Sequence, residues 1–101
     1  MLSARMYDVN DIRLEEIPVP DIGPDEILLK VKAAAICGTD VRMLGNGYPG
    51  IAPQNPRILG HEFAGIIERT GSAVSSYTVG QRVAVAPNMG CGVCDDCVRG
   101  D

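Results

Sequence analysis

Glycine and proline interrupt this chain so often that long regular elements cannot form. The 101 residues include 12 glycines and 7 prolines, and these stand singly between short apolar runs. Proline cannot donate a hydrogen bond inside a sheet, and glycine favours turns, so this spacing is typical of short strands joined by loops. Helical periodicity is nearly absent. We therefore predict a mainly β domain with one or two short helices.

Short strands are predicted in five segments: residues 2–7, 12–17, 26–36, 62–70 and 82–86. The first two form a hairpin that turns at Asn10 and Asp11. Apolar and polar residues alternate most clearly at the start of the third segment, which is therefore a half-buried strand.

A helix start is predicted directly after the third strand, at Cys37 to Asp40, and Gly45 is expected to stop that helix after about one turn. Residues Gly45 to Gly50 then spell G-x-G-x-x-G, the pattern of dinucleotide-binding loops. That pattern binds a pyrophosphate only where a strand leads through the glycines into a helix. Here a proline-rich loop up to Arg57 follows. We therefore interpret Gly45 to Gly50 as a surface loop.

Three of the four cysteines, Cys91, Cys94 and Cys97, recur at intervals of three residues. Three thiolates at this spacing can surround one cation, and Gly90 and Gly92 permit the turns that this requires. A thioredoxin-like redox pair would need a helix N-terminus in a βαβ unit, which this sequence does not predict. The run therefore indicates a metal site, with zinc favoured over an iron–sulfur cluster and a fourth ligand still to be supplied.

A second set of metal donors combines Cys37, His61 and Glu62. Thiolate, imidazole and carboxylate together suit Zn²⁺. A lone histidine more often has a structural role, so the interpretation depends on Cys37 at the end of the longest predicted strand. Neighbouring side chains of a strand point to opposite faces, so Glu62 can share an ion with His61 only if the chain bends there. Otherwise Glu62 lies outside the coordination shell.

Charge and hydropathy argue against two kinds of partner. Nine Lys and Arg against thirteen Asp and Glu give a net charge of −4, and the basic residues are scattered, so we expect no nucleic-acid partner. No segment approaches the roughly 18 apolar residues of a membrane span, and the first residues lack the apolar core of a signal peptide. Clustered thiols suit a reducing compartment. We therefore expect a cytoplasmic protein with no membrane partner.

Together these motifs resemble the zinc-dependent medium-chain alcohol and polyol dehydrogenases, specifically the N-terminal, GroES-like part of their catalytic domain. The matching residues are Cys37-Gly38-Thr39-Asp40, Gly60-His61-Glu62 with Gly65, Gly71 and Val74, Gly80-Gln81-Arg82-Val83, and a cysteine lobe at about residues 86–101. The resemblance implies an incomplete, partly open antiparallel β-barrel over residues 1–101. It also implies a catalytic zinc, a structural zinc, and a Rossmann domain, absent from this chain, that binds NAD(P).

The resemblance implies roles for individual residues. Cys37 and His61 match ligands of the catalytic zinc, and Glu62 matches a ligand or near-ligand. Thr39 matches the hydroxyl that takes the proton of the substrate. The three clustered cysteines match three of the four ligands of the structural zinc, and the fourth ligand would fall beyond the chain. Asp40 is as readily interpreted as a helix cap as a chemical group.

Two positions bear on the substrate. Gly38 resembles polyol and threonine dehydrogenases more than alcohol dehydrogenases that have a cation there, and Arg42 stands where several relatives have a relay histidine.

The resemblance therefore implies a fragment of an oxidoreductase that transfers hydride from a small alcohol or polyol to NAD(P), as sorbitol and threonine dehydrogenases do. The whole enzyme is expected to be a homo-oligomer, and the fragment alone is expected to be inactive. Two other functions stay open: a small metal-binding or iron–sulfur electron-transfer module, and a co-chaperonin-like structural domain.

Overall fold

Strands dominate the computed structural model, which describes residues 1–100. In chain order the elements are β1 (Leu2–Asp8), β2 (Asp11–Glu16), β3 (Ile27–Ala35), α1 (Gly38–Asn46), β4 (Arg57–Ile58), β5 (Glu62–Thr70), β6 (Arg82–Ala84) and α2 (Asp95–Arg99). They form two antiparallel sheets, ordered β2-β1-β4 and β3-β5-β6, and within residues 1–100 no pairing closes them into a barrel. The predicted mainly β class with an open sheet arrangement is confirmed.

The first sheet is built on the predicted hairpin of β1 and β2. Asn10 adopts the left-handed backbone, at φ 54°, that a tight hairpin turn favours. On one face, Glu15 accepts hydrogen bonds from the hydroxyl of Tyr7 and from the guanidinium of Arg5, and Arg13 lies 4.1 Å from the centre of the Tyr7 ring. The hydrogen bond from Tyr7 is the main cause of a lowered pKa at Glu15. These side-chain contacts link β1 and β2 in addition to the backbone hydrogen bonds of the sheet.

The second sheet depends on a close approach of β3 and β5. The two strands pair along their whole length, ending with Ala35 opposite Glu62. At Gly65 of β5, a Cβ atom would overlap the backbone carbonyl oxygen of Lys30 on β3. Glycine at this position therefore lets the two strands come together.

The core of the described residues is small. Met6 and Ile67 are 1% exposed and Leu28 is 8% exposed, whereas Ile36 is 82% exposed. The accessible surface is 7510 Å², against about 5,500 Å² expected for a compact protein of this mass. Residues 1–100 therefore leave much apolar surface uncovered. Neither of their helices is long and apolar enough to cross a membrane.

The helix α1 is longer than predicted. Gly45 was expected to stop it, but α1 continues to Asn46, and its C-cap is Gly47 at φ 79°. Gly45 lowers helix propensity without breaking the helix, whereas Gly47 adopts a backbone conformation that only glycine takes readily. The segment Gly45 to Gly50 therefore begins inside a helix and is not a surface loop throughout. It lies at the carboxyl end of α1, where the helix dipole disfavours a pyrophosphate.

Alanine at two glycine positions should have opposite effects on stability. Gly65→Ala should lower the free energy of unfolding by about 1–3 kcal/mol, because the methyl group would push β3 and β5 apart. Gly45→Ala should raise it by up to about 1 kcal/mol, because nothing lies within 4 Å of the added Cβ and alanine favours helix. Urea denaturation followed by circular dichroism measures both changes. Equal stability of the two variants would contradict the close approach at Gly65.

Candidate metal centres

The first donor set lies at one end of the β3–β5 pair. Because these strands are antiparallel, the end of β3 and the start of β5 meet, as the pairing of Ala35 with Glu62 shows. Cys37 follows β3 and His61 precedes β5, so these residues lie together despite their separation in sequence. One donor atom each of Cys37, His61 and Glu62 lies within 4.8 Å of the others.

The chain bends before β5, and this bend lets His61 and Glu62 face a common point. Gly60 has a left-handed backbone at φ 100°, and β5 begins only at Glu62. The rule that neighbours point to opposite faces holds within a strand, and His61 lies outside it. The condition under which both residues could share one ion is therefore met.

The donors are accessible from solvent. Cys37 and His61 are half-buried and Glu62 is exposed. Thr39 is also exposed, in the first turn of α1, two residues after Cys37. Three protein donors leave one position of a tetrahedral zinc for another ligand, which is the arrangement of catalytic zinc sites. The donor types and their spacing fit a zinc ion of this kind.

The second donor set lies in and just before α2, where Cys91, Cys94 and Cys97 also place their sulfurs within 4.8 Å of one another. The Sγ atoms of Cys91 and Cys97 are 3.8 Å apart. Zn–S bonds of about 2.3 Å at tetrahedral angles separate two ligand sulfurs by about 3.8 Å. A disulfide would require about 2 Å. The lobe therefore has the dimensions of a tetrahedral thiolate site.

Backbone N–H groups donate hydrogen bonds to two of the three cysteine sulfurs of this lobe. The N–H of Cys94 donates to Sγ of Cys91 at 3.3 Å, and the N–H of Cys97 donates to Sγ of Cys94 at 3.5 Å. Hydrogen bonds from the backbone of Val93 and Cys94 lower the pKa of the Cys91 thiol to about 7. Because the thiolate is the form that binds metals, the lobe favours metal uptake near neutral pH.

The sequence did not reveal the full set of contacts of Asp40. Its carboxylate accepts a hydrogen bond from the N–H of Cys37, as a helix cap would, and a second one from the N–H of Gly60. The local contact was foreseeable from the spacing of Cys37 and Asp40 at the helix start. The contact with Gly60 crosses from α1 to the segment before β5, and no local pattern signals it.

Comparison with known proteins agrees with this fold. A family model described as the alcohol dehydrogenase GroES-like domain matches residues 23–101, and the chain belongs to this family. The chain is 46% identical over 101 residues to a sorbitol dehydrogenase of Bacillus subtilis (strain 168), a match that covers 99% of the chain and 29% of that protein. It is 42% identical over 90 residues to an L-threonine 3-dehydrogenase of Mesorhizobium japonicum, covering 88% and 26%.

A solved structure shows the same fold. A candidate zinc-binding dehydrogenase from Sinorhizobium meliloti 1021, bound to NADP, superposes with a TM-score of 0.82 at 40% identity, over 98% of this chain and 28% of that one. The chain thus spans less than a third of the length of these relatives. The predicted partial GroES-like fold and the resemblance to alcohol and polyol dehydrogenases are confirmed.

Replacing one cysteine of each donor set with serine should show that the two sets bind zinc independently. The wild-type chain should retain two zinc ions after desalting, and Cys37→Ser and Cys94→Ser should each retain one, because thiolates are essential donors in both sets. Mass spectrometry of the metal content counts the ions. Cobalt substitution identifies them, because the three-thiolate lobe should carry the stronger sulfur-to-cobalt absorption. Unchanged zinc content in both variants would contradict the assignment.

Proposed function

We propose that this chain is the N-terminal part of the catalytic domain of a zinc-dependent dehydrogenase that oxidises an alcohol or polyol with NAD(P). The observation that carries the proposal is the convergence of Cys37, His61 and Glu62 at one end of the β3–β5 pair. The domain would include residues 1–101, with the structural-zinc lobe starting at about residue 86. The Rossmann cofactor domain would lie outside this chain.

The residues of the first donor set would act as follows. Cys37 and His61 would hold the catalytic zinc, with Glu62 as a ligand or near-ligand. When bound, zinc would act as a Lewis acid and would make an alcohol hydroxyl easier to deprotonate. Thr39 would accept the hydroxyl proton of the substrate and pass it to solvent, which its exposure allows. Hydride would leave the carbon that bears this hydroxyl for the nicotinamide ring, so the alcohol is oxidised and NAD(P)⁺ is reduced.

The second donor set would have a structural role. Cys91, Cys94 and Cys97 would hold a zinc ion together with a fourth ligand from outside residues 1–100. A bound ion would stabilise this lobe, because metal binding energy becomes folding energy where few apolar side chains are buried. All residues of α2 are at least partly exposed.

Similar proteins and the free cysteines support a substrate class, a cofactor and a cellular compartment for the whole enzyme. Sorbitol and threonine dehydrogenases among them support a small polyol or amino alcohol, and the NADP-bound neighbour supports a nicotinamide cofactor. The glycines of residues 45–50 lie at the wrong end of α1 for a pyrophosphate, which supports a cofactor site elsewhere. The four unpaired cysteines support a cytoplasmic enzyme. We expect the whole enzyme to be a homo-oligomer without nucleic-acid or membrane partners.

The alternatives explain less. An iron–sulfur module would use the cysteine lobe and leave the first donor set without a purpose. A co-chaperonin-like structural domain would need neither donor set. A small metal-binding module would use both sets, but it would not explain why the chain belongs to the alcohol dehydrogenase GroES-like family, so we favour the dehydrogenase.

Replacing His61 with alanine tests the function. In the whole protein that carries this chain, His61→Ala should lower kcat/KM for polyol oxidation at least roughly a thousandfold, because a Lewis acid contributes several kcal/mol to transition-state stabilisation. The rate is followed through NAD(P)H absorbance with sorbitol and threonine as substrates. Glu68→Ala is the control, since this exposed residue of β5 lies about 20 Å further along the strand.

The control should keep full activity, and the 101-residue chain alone should form no NAD(P)H. Activity of the His61→Ala variant equal to that of the wild-type protein would contradict the proposal. So would a wild-type protein that binds zinc but oxidises no alcohol.

A further inference from the structure

We propose that Cys91 and Cys97 form a site of reversible oxidation, at which a peroxide joins their sulfurs in a disulfide that excludes zinc from the cysteine lobe. This inference goes beyond the proposed dehydrogenase activity and concerns the second donor set only. The two Sγ atoms are 3.8 Å apart, and both cysteines are free. A disulfide bond is about 2 Å long, so the sulfurs have to approach each other by only about 2 Å.

Two glycines bring the ends of the cysteine run together. A Cβ atom at Gly90 would lie 2.8 Å from Sγ of Cys97, so this sulfur lies against the backbone of the residue that precedes Cys91. Gly92, on the other side of Cys91, has a left-handed backbone at φ 79° and lets the chain turn there. The sulfur of Cys97 therefore reaches Cys91 with no side chain at position 90 to keep it away.

The third cysteine of the lobe, Cys94, holds the start of α2. It is the N-cap residue of this helix, and its Sγ accepts a hydrogen bond from the N–H of Cys97 at 3.5 Å. A disulfide to Cys94 would have to turn this sulfur away from the cap, whereas a disulfide between Cys91 and Cys97 leaves the cap in place. The proposed pair therefore differs from the two pairs that the C-x-x-C spacing alone would predict.

The exposure of the two sulfurs gives each a different part in the reaction. Cys91 is exposed and Cys97 is half-buried, so a peroxide reaches Cys91 first. The thiolate of Cys91 attacks one peroxide oxygen, the O–O bond breaks, and a sulfenic acid forms with release of hydroxide. The sulfur of Cys97 then attacks the sulfenic sulfur, whose oxygen leaves as water. Two thiols are thus oxidised to a disulfide while hydrogen peroxide is reduced to water.

Disulfide formation and zinc binding compete for the same sulfurs. The disulfide removes two of the three thiolates that the lobe offers to a metal. A dithiol reductant reverses the reaction, as is typical of the transient disulfides of reducing compartments. The hydrogen bonds that hold the three sulfurs lie within the lobe, so oxidation does not require either sheet to move.

Thiol counting on the metal-free, fully reduced 101-residue chain tests the inference. One equivalent of hydrogen peroxide should remove two of the four thiols, and alkylation should then label only Cys37 and Cys94. Trypsin releases residues 83–99 as one peptide that contains the whole cysteine run. Mass spectrometry of this peptide should show one alkyl group, on Cys94, and the loss of two hydrogen atoms. Dithiothreitol should restore all four thiols.

Two variants separate the proposed pair from the other pairs of the lobe. Cys94→Ser keeps both members of the pair and should lose two thiols, as the wild type does. Cys97→Ser removes the partner of Cys91, so Cys91 should stop at the sulfenic acid, which dimedone traps. Loss of two thiols from Cys97→Ser, or an alkyl group on Cys91 or Cys97 of the oxidised wild-type chain, would overturn the inference.

The zinc-loaded Cys37→Ser variant tests the competition, because its single zinc ion is expected in the lobe. One zinc ion should be released to a chromogenic chelator for each disulfide formed, and retention of zinc in the oxidised chain would overturn the exclusion of zinc. Failure of this variant to bind zinc would instead contradict the structural role proposed for the lobe, while the thiol counts of the metal-free chain would still test the pair.

Discussion

The antiparallel pairing of β3 with β5 is the constraint on which the rest of this structure depends. It brings two distant parts of the chain to one point and so places a thiol beside an imidazole. Gly65 makes the pairing close, because no side chain separates the two backbones there. A slip of one residue would turn every side chain of β5 to the opposite face and would move the start of β5 away from the end of β3. The register therefore decides whether the first donor set, Cys37, His61 and Glu62, comes together.

The two donor sets bring potential metal ligands together in two different ways. The cysteine lobe is local, since its spacing and the N–H groups of its own turns bring three sulfurs together. The first set is assembled from separate elements and is open to solvent on one side. In the proposed enzyme, this difference matches the division between a structural ion, which only has to hold a loop, and a catalytic ion, which has to leave room for a substrate.

Sequence reasoning succeeded where the information is local. The predicted strands agree with the observed ones within a few residues, and the three cysteines at intervals of three residues place their sulfurs within 4.8 Å of one another. Sequence reasoning failed where backbone conformation or contacts between distant residues determine the structure. Gly45 was assigned the end of α1 because glycine disfavours helix, although Gly47 is the residue that adopts the left-handed backbone. Strand β4, the order of the sheets and the bridge from Asp40 to Gly60 are non-local and have no signature in the sequence. The grouping of Cys37 with His61 was predicted from their donor chemistry and from the resemblance to a family, because the strand register that brings them together has no local signature.

X-ray absorption at the zinc edge tests the central claim most directly. The sample is the chain with Cys91, Cys94 and Cys97 replaced by serine, loaded with a single equivalent of zinc. The account predicts a single sulfur at about 2.3 Å, from Cys37, with nitrogen and oxygen neighbours at about 2.0–2.1 Å. A zinc shell without sulfur, or a folded chain that retains no zinc, would show that Cys37 and His61 do not hold a common ion.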